Sequence, residues 1–221
     1  MLKLVIANKN YSSWSLRPWV LMRATGIAFE EQQLSLGAPD FRVRVRTASA
    51  AGKVPVLIDD DLTVWDSLAI VEYLAERFPD AGVWPANAAA RAHARSACAE
   101  MHSGFGALRS QMPMNVCAQL PGRGWNIAVQ RDIDRICALW AGLRSRHGAD
   151  GPYLCGRFSA TDAFFAPVVF RFNTYAPALP ETAQAYVTTL LALPAMREWS
   201  AAAAQEDEFL AEDEPYRAPP G

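Results

Sequence analysis

Pro55 stands directly before Val56-Leu57-Ile58, and no other feature constrains the first part of the chain as strongly. A proline has no N–H to give to a sheet ladder, so it enters a sheet at a strand's first residue or on an edge. The apolar run behind it therefore reads as a strand over 56–59. A cis linkage is inexpensive only before proline, and a cis Val54-Pro55 bond would aim the neighbouring N–H and C=O outward. Leu62-Thr63-Val64-Trp65 reads as a second strand, paired across a turn at Asp60-Asp61. It ends at Asp66-Ser67, a strand-to-helix junction where unpaired N–H groups collect. An outward peptide beside a helix start makes a platform for an extended ligand with a free amine and a carboxylate.

The rest of the first half fits around this hairpin. Residues 2–7 read as a buried strand, followed by the polar loop Asn8-Lys9-Asn10-Tyr11-Ser12-Ser13. Ser15 is placed to cap a helix with Pro18 in its early turn and Gly26 as its stop. A strand over 29–34 follows, then a short irregular helix that Asp40 can cap. Leu68, Val71, Leu74 and Ala75 share one face of a helix over 67–77. The order is β-α-β-α-β-β-α, with the first two strands parallel and the last two a hairpin. Pro79, Gly82 and Pro85 then interrupt the pattern. Beyond them strand signals all but cease, and helical periodicity runs over 88–112, 126–147, 160–175, 181–192 and 194–204. The expected division is an α/β domain over 1–79, a linker over 80–87 and an all-α domain over 88–221. The acidic, then proline-rich tail over 206–221 reads as a strap or frayed end.

Composition excludes several function classes. The 221 residues are 51% hydrophobic, enough for a substantial core, and the net charge of −2 favours no nucleic-acid partner. No apolar run approaches a membrane span or a signal segment, so a cytoplasmic, soluble protein with no membrane partner is expected. Cys98, Cys117, Cys137 and Cys155 are widely spaced, and His93, His102 and His147 are isolated in sequence. Reduced cysteines packed as small hydrophobes, and no metal, are the expectation.

Four pieces of the chain together resemble the cytosolic glutathione S-transferases. They are the serine-rich first loop, Lys53-Val54-Pro55, Asp66-Ser67-Leu68-Ala69-Ile70, and Phe158-Ser159-Ala160-Thr161-Asp162. The last is similar to the capping box that opens the family's sixth helix: Ser159 bonds an early amide and Asp162 reaches back. The resemblance implies a thioredoxin-like N-terminal domain, a helical C-terminal domain, a homodimer, and glutathione as co-substrate. Within the family, Tyr11-Ser12-Ser13-Trp14-Ser15-Leu16-Arg17 is most like the serine-type classes, zeta above all, although the zeta loop has cysteine where Trp14 stands.

That resemblance assigns roles residue by residue. A thiol with a pKa of about 8.5 must be held as its thiolate to attack. A hydroxyl of Ser12 or Ser13, with the positive end of the first helix, supplies that preference. The zeta spacing back from Arg17 selects Ser12, the delta/theta spacing selects Ser13, and Tyr11 is a third candidate. Val54 would pair its backbone with the cysteinyl unit, with Pro55 shaping the turn. Asp66 would take the γ-glutamyl amine and Ser67 the carboxylate. Lys53 is a candidate for the glycine carboxylate. Arg42, Arg44 and Arg46 read as a solvated face, with the glycine carboxylate as their alternative; Arg17 reads as structural, and His102 as structural or surface, with a contact to substrate as its alternative. Trp14, Met101, Phe105, Met112 and Trp125 are candidates for lining an apolar pocket for a small hydrophobic electrophile. Three functions follow from the resemblance: conjugation of glutathione, a zeta-like maleylacetoacetate isomerisation, and a non-catalytic binding or scaffold role.

Overall fold

The computed structural model describes residues 1–218. Four strands, β1 (Leu2–Ile6), β2 (Glu30–Gln33), β3 (Val56–Asp59) and β4 (Leu62–Trp65), form one sheet in the order β2-β1-β3-β4. β1 and β2 are parallel; β3 pairs antiparallel with both β1 and β4. The burial of Leu4, Val5 and Ile6 makes β1 the central strand, covered on both faces. β2 is narrower than the apolar signal of 29–34 suggests. Its four residues are Glu30-Glu31-Gln32-Gln33, and polar side chains of this kind protect a sheet edge from further pairing.

Between and after the strands lie α1 (Ser13–Thr25), α2 (Phe41–Ala48) and α3 (Ser67–Arg77). Then come α4 (Ala88–Ser103), α5 (Gly106–Gln111), α6 (Ile127–His147), α7 (Ala160–Tyr175), α8 (Glu181–Leu191) and α9 (Pro194–Ala203). α1 and α7 are buried over most of their length at the centre, against each other. The Ser159–Asp162 capping box is formed: Ser159 Oγ accepts from the Thr161 amide at 3.3 Å, and Asp162 accepts from the Ser159 amide at 3.0 Å.

Three local expectations change. α1 starts at Ser13, two residues before Ser15, so Pro18 lies inside the helix and leaves the Trp14 carbonyl without its helical donor. Ser15 instead turns inward, and its Oγ accepts from the Ala7 amide at 3.1 Å. The single helix expected over 88–112 is two, α4 and α5. A Cβ at Gly104 would lie 2.8 Å from the Glu100 carbonyl, and Phe105 turns the chain with φ 60°. His93 and His147, far apart in sequence, meet between α4 and α6 with Nδ1 and Nε2 2.9 Å apart. Among the described residues no group of three or more metal-ligating side chains forms. All four cysteines are free; Cys98 and Cys137 are buried, whereas Cys117 is exposed.

Candidate active site

A cavity of about 470 Å³ opens where β3, β4 and the start of α3 face the end of α4. Of the residues singled out from sequence, Trp14, Lys53, Val54, Pro55, Asp66 and Ser67 line it. The Val54-Pro55 bond is cis. Val54 precedes the β3 ladder, which begins at Val56, and its N–H and C=O have no backbone partner among the described residues. Ser67 opens α3 and is 1% exposed, yet its Oγ has no hydrogen-bond partner among the described residues. A buried hydroxyl left unpaired costs about 1–3 kcal/mol, so its placement beside a helix N-terminus marks a position for an acceptor from outside the chain.

Asp66 is held in an uncommon conformation, φ 73°, ψ 130°. Its Oδ1 accepts from the Leu68 amide at 2.8 Å, and its Oδ2 lies 3.2 Å from His102 Nε2. Non-glycine residues in such regions concentrate at ligand sites, where the surroundings over-determine them. His102 thus belongs to the cavity wall, a role its isolated position in sequence did not show. It stands in the last turn of α4, and only the docking of that helix against α3 brings it to Asp66. Burial depresses its pKa most; the nearby Arg17 and Arg109 add to this, while Asp66 opposes it. Trp65 and Ala51 also line the cavity, and neither carried a sequence signal.

Trp14 is packed by cations. The Arg17 guanidinium lies 4.0 Å and that of Arg109 4.5 Å from its ring centroid, with His102 edge-on at 5.1 Å. Arg17 is 1% exposed, with Nε and Nη1 unpartnered among the described residues, and burial lowers its pKa well below the ordinary value.

The three hydroxyls of the first loop are separated by their partners. None of the three lines the cavity, and the single Tyr11 O–H is shared between Glu214 Oε1 at 2.8 Å and the Glu208 carbonyl at 3.0 Å. Burial, with Glu214, pushes its pKa up to about 12. Ser12 is buried and donates to Ser15 Oγ at 2.7 Å. Ser13 is half-buried, begins α1, and makes no side-chain hydrogen bond among the described residues. The first-turn amides of Trp14 and Ser15 beside it have no helical carbonyl to bond. An anion at this end of α1 would meet a free hydroxyl, free N–H groups and the positive end of the helix dipole.

The apolar candidates from the second half are placed elsewhere. Met101, Phe105 and Met112 are buried in the main core, at 0%, 7% and 1% exposure. Trp125 is an exposed residue before α6, with its indole N–H on Gln130. None of the four lines the cavity. Helical spacing of aromatic and methionine side chains served packing here. Lys53 and Arg42, Arg44 and Arg46 are exposed, the arginines along α2.

The glutathione S-transferase N-terminal domain model matches residues 11–77, and the corresponding C-terminal domain model matches 85–202. The chain is 27% identical over 166 residues to a probable maleylacetoacetate isomerase of Caenorhabditis elegans, covering 74% of this chain and 76% of that protein. It superposes on a glutathione transferase homolog from Burkholderia gl BGR1, solved with bound glutathione, with a TM-score of 0.71 at 22% identity, covering 93% and 99% of the two chains. A homolog from Lodderomyces elongisporus, solved with two glutathione molecules per subunit, gives 0.68 at 19% identity, over 90% and 97%. The sheet topology, the helical second half and these matches agree: an N-terminal thioredoxin-like domain precedes a helical one, and the chain belongs to the glutathione S-transferase family.

Proposed function

We propose that this protein binds glutathione in the cavity beside Val54 and Ser67 and adds its thiolate to a small hydrophobic electrophile. The observation that carries the reading is the pair of unsatisfied groups on one wall: the unpaired Val54 peptide and the buried, partnerless Ser67 hydroxyl. A cysteinyl backbone meets the first, and a γ-glutamyl carboxylate meets the second. Asp66, oriented by His102, takes the amine, and Lys53 stands at the glycine end. Ser13 donates to sulfur, because Tyr11 and Ser12 donate elsewhere. In the reaction the thiol proton leaves to solvent, sulfur forms a bond to carbon, and the leaving group departs with its bonding electrons. We further propose a division into 1–79, a linker over 80–87 and 88–221, and a homodimer. The exposed Leu62 and Trp65 on the edge strand β4 support the dimer.

Calorimetry with glutathione, and turnover with a chlorinated nitrobenzene, test this reading. Ser67→Ala should weaken binding about tenfold, the equivalent of ~1.4 kcal/mol. Ser13→Ala should keep binding and lower kcat/KM by tenfold or more, while Ser12→Ala should change kcat/KM by less than about threefold. Unchanged turnover in Ser13→Ala would reject Ser13 as the thiolate donor. The similarity to the probable isomerase favours a second reading, reversible thiolate addition that isomerises a cis double bond. Isomerisation leaves glutathione unconsumed, so measuring thiol loss during turnover separates the two. Binding without either activity would instead indicate a carrier.

A further inference from the structure

The loop that carries Ser12 and Ser13 is held on one side by the C-terminal end of the chain, and on the other by the Val116 and Cys117 amides on Asn10, the Leu36 amide on Asn8 and Glu31 on the Lys9 ammonium. The Glu206 carboxylate accepts from two successive loop amides, Lys9 N at 2.7 Å and Asn10 N at 3.0 Å. Glu208 takes the Asn8 side-chain amide, the Ser35 hydroxyl at 2.7 Å and the Gly37 amide at 2.7 Å. Glu214 is 2% exposed and receives the Tyr11 hydroxyl. Ahead of them, in α9, Trp199 donates its indole N–H to the Lys9 carbonyl at 2.7 Å. A Cβ at Gly37 would collide with the Glu208 carboxylate, so the chain leaves room there for that contact. These groups lie 171 to 203 positions away from their partners in sequence.

The consequence reaches the start of α1. The Ser12 and Ser13 amides bond to the carbonyls of Asn8 and Tyr11, so the turn that begins the helix is built on the loop that Glu206 and Glu208 hold. Two N–H groups converging on one carboxylate define the peptide planes of Lys9 and Asn10. Freed from it, the loop would lose the register that presents the Ser13 hydroxyl and the first-turn amides. Misplacement of a hydrogen-bond donor by about 1 Å is enough to cost most of its effect on a reacting anion.

We propose that three tail carboxylates, Glu206, Glu208 and Glu214, form a strap of positioning residues for thiol activation, with Glu206 the principal one and the other two supporting it. None of the three lines the cavity, so they act through the loop. The proposal rests on the glutathione reading above. It assigns the strap to the state of bound sulfur and leaves the binding of the tripeptide to the cavity residues.

The test compares the full-length wild type with Glu206→Ala and with Glu212→Ala, an exposed tail carboxylate with no hydrogen bond among the described residues. Three quantities are read: glutathione affinity by calorimetry, the pKa of the bound thiol from the ultraviolet thiolate band across pH, and amide exchange at Lys9 and Asn10 in the ligand-free protein. Glu206→Ala should raise the bound thiol pKa by about one unit, roughly tenfold less thiolate at a fixed pH below it. It should leave affinity within about threefold and accelerate exchange at both amides. Glu212→Ala should match wild type in all three. If Glu206→Ala does not fold, Glu206→Gln keeps one acceptor oxygen and should give an intermediate thiol pKa. A wild-type thiol pKa in a folded Glu206 variant, with only a lower melting temperature, would reduce the strap to a brace and overturn the proposal. Failure of wild type to bind glutathione would instead sink the functional reading. Exchange at Lys9 and Asn10, which needs no ligand, would then still show whether the strap holds the loop.

Discussion

Arg17 is the residue whose setting departs furthest from its usual one. A buried guanidinium is normally paired, because desolvating its charge costs several kcal/mol. Here it stacks on Trp14 and Phe164, and no carboxylate lies within ion-pair distance among the described residues. Its charge is felt instead by His102, whose pKa is held down by burial first and then by Arg17 and Arg109. Arg17→Met should therefore move the His102 pKa up toward its ordinary value, as read by an NMR titration of the imidazole protons. The sign for stability follows. A histidine with a lowered folded pKa favours the native state above the unfolded value of about 6.5 and weakens it as pH falls below. The variant should flatten that part of the stability profile. An unchanged His102 titration would remove Arg17 from the electrostatics of the cavity.

At the scale of elements, Asp162 shows how a cap becomes a pH-sensitive joint. Burial pushes its carboxyl up to about 6, against hydrogen bonds from the Leu154 and Ser159 amides and the Tyr186 hydroxyl, each at 3.0 Å. Its folded pKa lies above the unfolded one, so its contribution is present at low pH and lost as pH rises from about 4 through 6. The change is of the order of 2–3 kcal/mol. Asp162→Asn should remove that slope and cost about 1–3 kcal/mol at pH 5, because one amide N–H would then face an NH₂. Urea unfolding at pH 5 and pH 7 measures both effects. This cap was legible in sequence, as Ser159 followed at three residues by Asp162. So were β3, β4 and α3, where proline, turn and periodicity agree. The break between α4 and α5 was not, because Gly104 alone reads as a tolerated helical glycine.

Across the whole molecule, the two halves and the tail meet at the same place. α1 and α7 pack through the centre, the Trp84 indole and Arg95 both reach Glu72 of α3, and the strap returns from α9 to the first loop. Asp213, within that strap, is raised to about 6 by burial first and then by Glu212 and Glu214, with Arg171 opposing. It therefore adds to the loss of stability as pH rises through about 6, in the same direction as Asp162. Asp213→Asn should reduce that dependence, by less than Asp162→Asn because its site is more open to solvent. Equilibrium unfolding of the two variants at pH 5 and pH 7 ranks them.

The sequence by itself determined most of the elements, their order and the stretch from Val54 to Ser67 that lines the cavity, because proline placement, capping and hydrophobic period act over a few residues. Val54, Pro55, Asp66 and Ser67 are close along the chain, so their meeting needs only a hairpin and a helix start. Only the tertiary structure decided which hydroxyl stays free, since the partners of Tyr11 and Ser12 come from the distant tail and from one turn of α1. It alone brought His102 to Asp66 and Arg109 to the Trp14 ring, and consigned Met101, Phe105 and Met112 to the core. Those outcomes depend on how α4, α5 and α7 dock on α1 and α3. Helical periodicity specifies that a face is buried, but leaves its partner to the packing of the whole chain.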